Sequence, residues 1–235
     1  MPTRRIIVLA NSYKKKPGRC VAGRELGDGG IVGNWLRPTS DQPEGELLPR
    51  HMKTSDGAPL APLDIVNVPV SEYANDAIHP EDWIVDRSQK WTRTGEFNPK
   101  MLGTLKENPE DLWLEPSVGS DRVTSEFLLE RPNHQSLYLI RPEEFRVELS
   151  VTQYPDNPYP STRRRAHFSY SGHDYKMNLT DPVFTDTFCS TLPAVGEPAV
   201  TVQSPHGDKC LICVSITPLY RNYHWKVVAT VLELP

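Results

Sequence analysis

The stretch RRRAHFSYSGHDYKMNLT, residues 163–180, decides the fold class of this chain. Apolar residues alternate with polar ones on both sides of Ser171-Gly172: Ala166, Phe168 and Tyr170 before it, and Tyr175, Met177 and Leu179 after it. A period of two is typical of a strand with one buried face, and a Ser-Gly pair between two such runs indicates a turn. The stretch therefore predicts a β-hairpin.

The same pattern extends outward to both ends of the chain. Apolar runs and turn signals predict further strands at 4–10, 19–24, 31–37, 63–70, 137–140, 145–152, 210–217 and 225–234. The 23 prolines disfavour long helices, because each removes a backbone donor. Helices are predicted only at 98–107, 120–130 and 182–188. We expect a mainly β protein with two small β-barrels, at 1–90 and 136–235, joined by a short helical or irregular connector at 91–135.

Composition and charge narrow the class of protein. The chain is 37% hydrophobic and 24% charged, which suits a folded globular protein, and its net charge is −4. A strongly basic whole domain is excluded, yet residues 1–24 carry seven cations and no acid. The apolar run at 6–10 is too short for a membrane span or secretory core. We expect reduced cysteines, a cytoplasmic location and no membrane partner.

The basic N-terminal segment is the first candidate site. We predict that this segment is a loop at 11–18 followed by a strand. It offers cations for phosphates, polar side chains for hydrogen bonds and a ring for base stacking. The residues concerned are Asn11, Ser12, Tyr13, Lys14, Lys15, Lys16, Arg19 and Arg24. The alternative is a solvated charged turn that keeps a strand edge soluble.

The polar face of the predicted hairpin is the second candidate. If Ala166, Phe168 and Tyr170 face the core, the alternation places Arg163, Arg165, His167 and Ser169 on the opposite face. The second arm adds Asp174, Lys176 and Asn178 to that face. Such a surface could follow a phosphate backbone, and the alternative is an ordinary solvent face.

The aromatic cluster near the C-terminus is the third candidate. Tyr220 and Tyr223, with Arg221 and Lys226 nearby, combine rings and cations as stacking on single-stranded bases requires. Trp225 opens an apolar strand, so we expect it to pack in the core.

No catalytic, metal or cofactor site is predicted. Cys210 and Cys213 form one pair, whereas a zinc site needs four ligands, and His206 is a single histidine upstream. In a strand the two cysteines point to opposite faces, so both are expected in the core. Cys20 is a candidate nucleophile without a local signature, and the glycines at 27–30 lack the Lys-Ser/Thr ending of a phosphate-binding loop.

Motifs along nearly the whole chain resemble the dual OB domain family. They are NSYKKKPGRCVAGRE at 11–25, NWLRP at 34–38, GEL at 45–47, LDIVNVPV at 63–70, SLYLIRP at 136–142, FSYSGHDYKMNLTDP at 168–182, and the closing CLICVSIT and WKVVATVLEL. The resemblance implies two OB-like barrels and recognition of nucleic acid or a nucleotide. It also implies an association with prokaryotic conflict and defence systems. In an OB fold the loop after the first strand borders the binding face, which favours the N-terminal segment.

Three hypotheses about function remain open. A non-catalytic module for single-stranded or distorted nucleic acid, or for a nucleotide, predicts binding that weakens with salt. A protein-interaction adaptor in a defence complex predicts salt-tolerant binding to a protein partner through exposed aromatics or the acidic middle segment. An enzyme acting on nucleotides or nucleic acid predicts turnover at a site assembled only by the fold.

Overall fold

The computed structural model describes residues 2–14, 17–42, 44–131, 133–203 and 209–235. Strands account for 48% of the described residues and helices for 10%, so the predicted mainly β class is confirmed. The chain divides into two compact units: the first comprises Met1–Leu105 and Leu129–Leu137, and the second comprises Lys106–Leu128 and Tyr138–Pro235. No helix in the described ranges is long and apolar enough to cross a membrane.

The first unit contains a six-stranded sheet whose pairings close into a ring. Its strands are β1 (Thr3–Tyr13), β2 (Arg19–Leu26), β3 (Val32–Thr39), β4 (Asp64–Tyr73), β5 (Asp82–Val85) and β6 (Thr92–Glu96). The order is β1-β2-β3-β5-β4-β6, and β4 also pairs with β1. The strands β3 and β5 are parallel, whereas the other pairs in the ring are antiparallel. Five strands in this closed order have the connectivity of an OB barrel.

The second unit contains an eight-stranded sheet. Its strands are β7 (Arg122–Val123), β8 (Leu137–Ile140), β9 (Glu143–Thr152), β10 (Ser161–Tyr170), β11 (His173–Leu179), β12 (Val200–Gln203), β13 (Cys210–Tyr220) and β14 (Tyr223–Glu233). The order is β12-β9-β10-β11-β14-β13-β8, with β7 beside β14. The path from β9 to β13 repeats the first-second-third-fifth-fourth order of the first unit, again with a parallel pair, β11 and β14.

In the second unit β9, at one end of this five-strand path, and β8, beside its other end, follow each other in the chain. β9 pairs with β10 at one end of the path and β8 pairs with β13 at the other. Only Arg141 and Pro142 separate β8 from β9, and proline at this point cannot donate to a sheet. β8 and β9 together therefore take the place of one bent first strand, and β12 adds to the other edge of β9.

The helices are short, and two of them differ from prediction. The helix at 182–188 is confirmed as α2 (Pro182–Phe188). The one at 120–130 shrinks to α1 (Ser125–Glu130), because Arg122 and Val123 pair with β14 and the Thr124 hydroxyl accepts from Phe127 N at the start of the helix. The one at 98–107 is a 3-10 helix at Pro99–Leu105, and a second 3-10 turn lies at Asp28–Gly30. The strands β5, β6, β7 and β12 were not predicted.

Asp181 fixes α2 to the second sheet. One carboxylate oxygen accepts from Phe184 N at 3.1 Å, which caps the helix, and the other accepts from Val231 N on β14 at 2.8 Å. The residue is 1% exposed, and burial raises the pKa of its carboxyl. α2 contributes Phe184 to an aromatic cluster with Phe145 and Phe188.

The core of the first unit lies inside the ring of strands. Ile6, Val8, Val21, Leu36 and Trp91 belong to one cluster of fully or nearly fully buried side chains. Ile7 and Leu9 on the other face of β1 are also 0% exposed, so this strand is covered on both sides. For this reason residues 6–10 of β1 are apolar at every position and do not alternate with polar residues.

Gly23 is required where β1 and β2 approach each other. A Cβ at this position would lie 2.1 Å from the carbonyl oxygen of Ile7, which is backbone and cannot rotate away. We predict that Gly23→Ala lowers the free energy of unfolding by about 2–3 kcal/mol through overpacking. Chemical denaturation followed by circular dichroism measures the change.

Gly95→Ala is the matched control, because Gly95 also lies in a strand and has nothing within 4 Å of the added Cβ. We expect this variant to match the wild type within about 0.5 kcal/mol. Equal stability of the two variants would contradict the close approach at Gly23.

Candidate functional site

The second unit carries a groove of about 700 Å³ beside the polar residues of β10 and β11. Five cations and two carboxylates line it: Arg122, Arg163, Arg164, Arg165 and Lys176, with Asp121 and Glu148. Trp225 lies at the same surface. The groove therefore has a local excess of positive charge in a chain whose net charge is −4, and we call it the arginine groove.

The register of the β10–β11 hairpin confirms the face predicted from alternation. Arg165 is opposite Asn178, His167 is opposite Lys176, and Ser169 is opposite Asp174. Ala166, Phe168, Tyr175 and Met177 are buried on the other face. The hairpin therefore places the polar and basic side chains of both arms on one side of the sheet.

Arg165 is the most heavily bonded cation of the groove. Its guanidinium donates to Asp121 Oδ2 at 2.9 Å, to Asn178 Oδ1 at 3.0 Å and to the carbonyl of Lys176 at 2.9 Å. A planar guanidinium with three partners keeps one orientation. Arg165 is therefore held in place before any ligand arrives.

Glu148 lies between Lys176 and His167 in a second group of polar side chains. Lys176 Nζ lies 3.0 Å from Glu148 Oε1, and His167 Nε2 lies 3.5 Å from Glu148 Oε2. The hydrogen bond from Lys176 lowers the pKa of Glu148. Burial, followed by the charge of Lys176, lowers the pKa of His167 below 6.5. At neutral pH the imidazole is therefore mostly uncharged.

Arg163 lies at the end of the groove next to the loop between β9 and β10. It is exposed, donates to the Tyr154 hydroxyl, and its guanidinium carbon lies 5.8 Å from the centre of the Tyr154 ring. Tyr159 on the same loop is 76% exposed. Sequence reasoning did not select these tyrosines, although a Tyr-Pro pair occurs at both positions.

Aromatic rings continue the surface at the other side of the groove. Tyr220 is 57% exposed and pairs across the hairpin with Tyr223. The Arg122 guanidinium lies 5.2 Å from the ring of Tyr223 and 5.2 Å from the ring of Trp225. The prediction that Trp225 packs in the core is wrong, since it is only partly buried and its neighbours His224 and Lys226 are buried instead.

Hydrogen bonds from β14 hold this aromatic hairpin. His224 Nδ1 lies 2.8 Å from the carbonyl of Thr217, and its Nε2 lies 2.9 Å from Ser125 Oγ. Since a carbonyl only accepts, Nδ1 is the donor to Thr217. Trp225 Nε1 also donates to the carbonyl of Tyr220 at 3.2 Å. His224 is 3% exposed, so these contacts brace the hairpin.

The N-terminal segment has a different conformation from the predicted loop. Asn11, Ser12 and Tyr13 continue β1 and pair with Val21, Cys20 and Arg19, because the β1 ladder runs beyond the apolar residues. Asn11 Nδ2 donates to the carbonyl of Leu60 at 2.8 Å, and Ser12 is 4% exposed.

The described cations of that segment contact the protein itself. Lys14 Nζ donates to the carbonyl of Glu44 and lies 3.8 Å from its carboxylate. Arg19 lies 4.3 Å above the Tyr13 ring, and Arg24 Nε donates to the carbonyl of Gly33 at 2.7 Å. Lys15 and Lys16 lie outside the described residues.

Buried charges in the first unit centre on one ion pair. Arg37 donates from Nε and Nη2 to the two carboxylate oxygens of Asp82 at 2.6 and 3.0 Å. Asp76, His79 and Asp82 bring possible metal-ligand atoms within 4.8 Å of one another. Metal binding by Asp82 would compete with Arg37 for both oxygens, so the arrangement favours an ion-pair network over a metal centre.

The cysteines fit the expected structural roles. Cys210 and Cys213 are fully buried, and burial raises the pKa of the Cys213 thiol. His206 lies outside the described residues. Burial also raises the pKa of the Cys20 thiol, and the opposing charges of Lys14 and Arg37 do not reverse this. Cys20 is therefore a poor nucleophile at neutral pH.

The fold and the groove define a protein with two OB-type units, the second of which carries a basic and aromatic surface. The model of the family described as the dual OB-containing domain matches residues 4–231, and the chain belongs to that family. A search of curated proteins finds no match.

The raised pKa values of the thiols yield a prediction about reactivity. At pH 7.5 we expect iodoacetamide to label Cys20, Cys189 and Cys213 of the native protein at least about tenfold more slowly than the protein unfolded in urea. Mass spectrometry of peptides taken over time measures each rate. Rapid labelling of Cys20 in the native protein, absent in Cys20→Ser, would contradict the assignment.

Proposed function

We propose that this protein binds single-stranded nucleic acid across the arginine groove of the second unit. The observation that carries the proposal is that several cations line one groove of an OB-type unit, and that one of them, Arg122, lies 5.2 Å from the half-buried rings of Tyr223 and Trp225. Arg163 and Arg164 offer contacts to phosphates, while Tyr220, Tyr223 and Trp225 offer faces on which bases stack. Membership of the dual OB-containing domain family supports an OB-type nucleic-acid-binding module.

Single strands suit this surface better than duplexes. A base can stack on a tyrosine or tryptophan only when its own face is free, and duplex bases are already stacked on each other. The rings lie on β13 and β14 rather than on an inserted helix, so they can accept bases that are splayed out from a backbone. The polar groups of Asn178, Ser150 and Thr162 add hydrogen-bonding partners to the lining.

The N-terminal segment has weaker support as the main binding surface. Its described cations contact Glu44, Tyr13 and Gly33, whereas Arg163 is exposed and, within the described part of the chain, contacts the hydroxyl and ring of Tyr154. We keep Lys14, Lys15 and Lys16 as a second surface to be compared in the binding test. The cellular setting that we propose is a prokaryotic defence system in the cytoplasm, alone or with a protein partner, and its support is the family resemblance alone.

Fluorescence anisotropy with labelled single-stranded DNA, single-stranded RNA and duplex DNA tests the proposal. We expect Arg163→Ala and Tyr220→Ala each to weaken single-strand binding about five- to tenfold, because each removes one phosphate or stacking contact. Arg163→Ala should also make the slope of log affinity against log salt shallower by about 0.7.

Lys209→Ala is the charge-matched control, since Lys209 is exposed in the same unit and is not part of the groove lining. We expect it to bind like the wild type within about twofold. Binding lost only in a variant with Lys14, Lys15 and Lys16 changed to Ala would move the site to the N-terminal segment. If the anisotropy of none of the three ligands changes as protein is added, the proposal of nucleic-acid binding is rejected.

His167 should make the binding pH-dependent. Its pKa lies below 6.5 in the free protein, and a phosphate bound nearby would raise it, so binding would take up a proton. Affinity should therefore increase about threefold as pH falls from 7.5 to 6.0. Anisotropy titrations across this range should give a flatter profile for His167→Gln, and an equally steep profile in that variant would exclude His167 as the source.

A further inference from the structure

The two carboxylates of the arginine groove already form ion pairs with two of the cations that line it. Asp121 Oδ2 lies 2.9 Å from Arg165 Nη2, and Glu148 Oε1 lies 3.0 Å from Lys176 Nζ. Glu148 Oε2 also faces His167 Nε2 at 3.5 Å. Carboxylate oxygens and phosphate oxygens accept the same hydrogen bonds from these donors. In the free protein the carboxylates therefore lie where phosphate oxygens would bind.

We infer that Asp121 and Glu148 are specificity-determining residues that make the groove reject ligands offering phosphates alone. The inference rests on the function proposed above. A phosphate that approaches Arg165 or Lys176 must either displace a carboxylate or bind beside it, and in both cases the nearby carboxylate repels it. Each exchange replaces one charge-assisted hydrogen bond by another, so it gives little net affinity.

The two carboxylates compete with phosphates for the cations, but they do not compete with bases for the aromatic rings. Tyr220 and Tyr223 carry no negative charge, and Tyr220 is 57% exposed. A single strand that stacks its bases there gains affinity that a duplex or a sulfated polysaccharide cannot gain. Discrimination against the wrong polyanion by like-charge repulsion is a general way to obtain specificity.

The backbone around both carboxylates is anchored independently of their charges. Glu148 lies within β9, in register with Arg165 on β10 and Thr201 on β12. The carbonyl oxygen of Asp121 accepts from Lys226 N at 2.8 Å. Replacement by the isosteric amides therefore removes the charges and leaves these backbone contacts in place.

The test compares Glu148→Gln with the wild type against three ligands: a single-stranded oligonucleotide, a blunt duplex of the same length and heparin. We expect affinity for duplex and heparin to rise about tenfold in the variant, and affinity for the single strand to rise no more than about threefold. The salt slope for the duplex should become steeper by about 0.9, since one more phosphate is neutralised. Asp121→Asn should act in the same direction.

Glu126→Gln is the matched control, because Glu126 is exposed on α1 and loses the same charge outside the groove lining. It should change no affinity by more than about twofold. An equal rise in this control would assign the effect to net charge and overturn the inference. Thermal unfolding by circular dichroism establishes that each variant is folded.

The outcomes for the two proposals are distinguishable. If Glu148→Gln binds the duplex no more tightly than the wild type, or binds every ligand more weakly, the inference is wrong and Glu148 positions Lys176 instead. In that case single-strand binding by the wild type would still support the proposed function. If the wild type binds no single strand, the proposed function fails, whereas duplex binding gained by the variant alone would still support the inference.

Discussion

The parallel pairing of the third and fifth strands is the constraint on which both units depend. In the first unit β3 and β5 pair at Arg37 and Asp82, and in the second β11 and β14 pair at Asn178 and Val227. Antiparallel hairpins alone would give an open sheet, whereas this one parallel pair brings distant segments together and closes the order of strands. In the first unit the paired residues also form a buried bidentate ion pair. Removing one partner would leave an unpaired buried charge at the closure.

The same connectivity is completed differently in the two units. Between the third and fourth strands, the second unit has α2, whose capping residue Asp181 also accepts from β14. The corresponding stretch of the first unit, between Thr39 and Asp64, contains turns and isolated bridges and no helix in its described part. The two units therefore share the same strand order but differ in the segment that connects the third strand to the fourth.

The parts of the fold that could be predicted from sequence are those set by local pattern. The hairpin at 163–180 was predictable because alternation and turn chemistry agree: Ser171 and Gly172 both adopt positive φ, at 52° and 76°. The face carrying Arg163, Arg165, His167 and Lys176 follows from that register alone. The polar residues Asn11–Tyr13 carry no such alternation, so they looked like a loop although they pair with β2 and extend the ladder.

Trp225 shows why alternation alone cannot assign the inward face. An apolar strand beginning with tryptophan predicts that the tryptophan is buried, yet His224 and Lys226 take the inward positions. A buried histidine is tolerated because it has partners, Thr217 nearby and Ser125 99 residues earlier in the chain. Arg122 was missed for a related reason, because β7 has two residues and exists only by pairing with β14.

The charge pairs of the groove also explain how an acidic chain can present a basic surface. Arg163, Arg165 and Lys176 lie on adjacent strands, where like charges side by side are destabilising. Asp121 and Glu148 reduce that repulsion, because Asp121 lies within hydrogen-bond distance of Arg165 and Glu148 within hydrogen-bond distance of Lys176. The arrangement that stabilises the sheet is therefore also the one that lowers the affinity for phosphate. Stability of the free groove and selectivity of the groove arise from the same two carboxylates, so neither property can be changed alone at these positions.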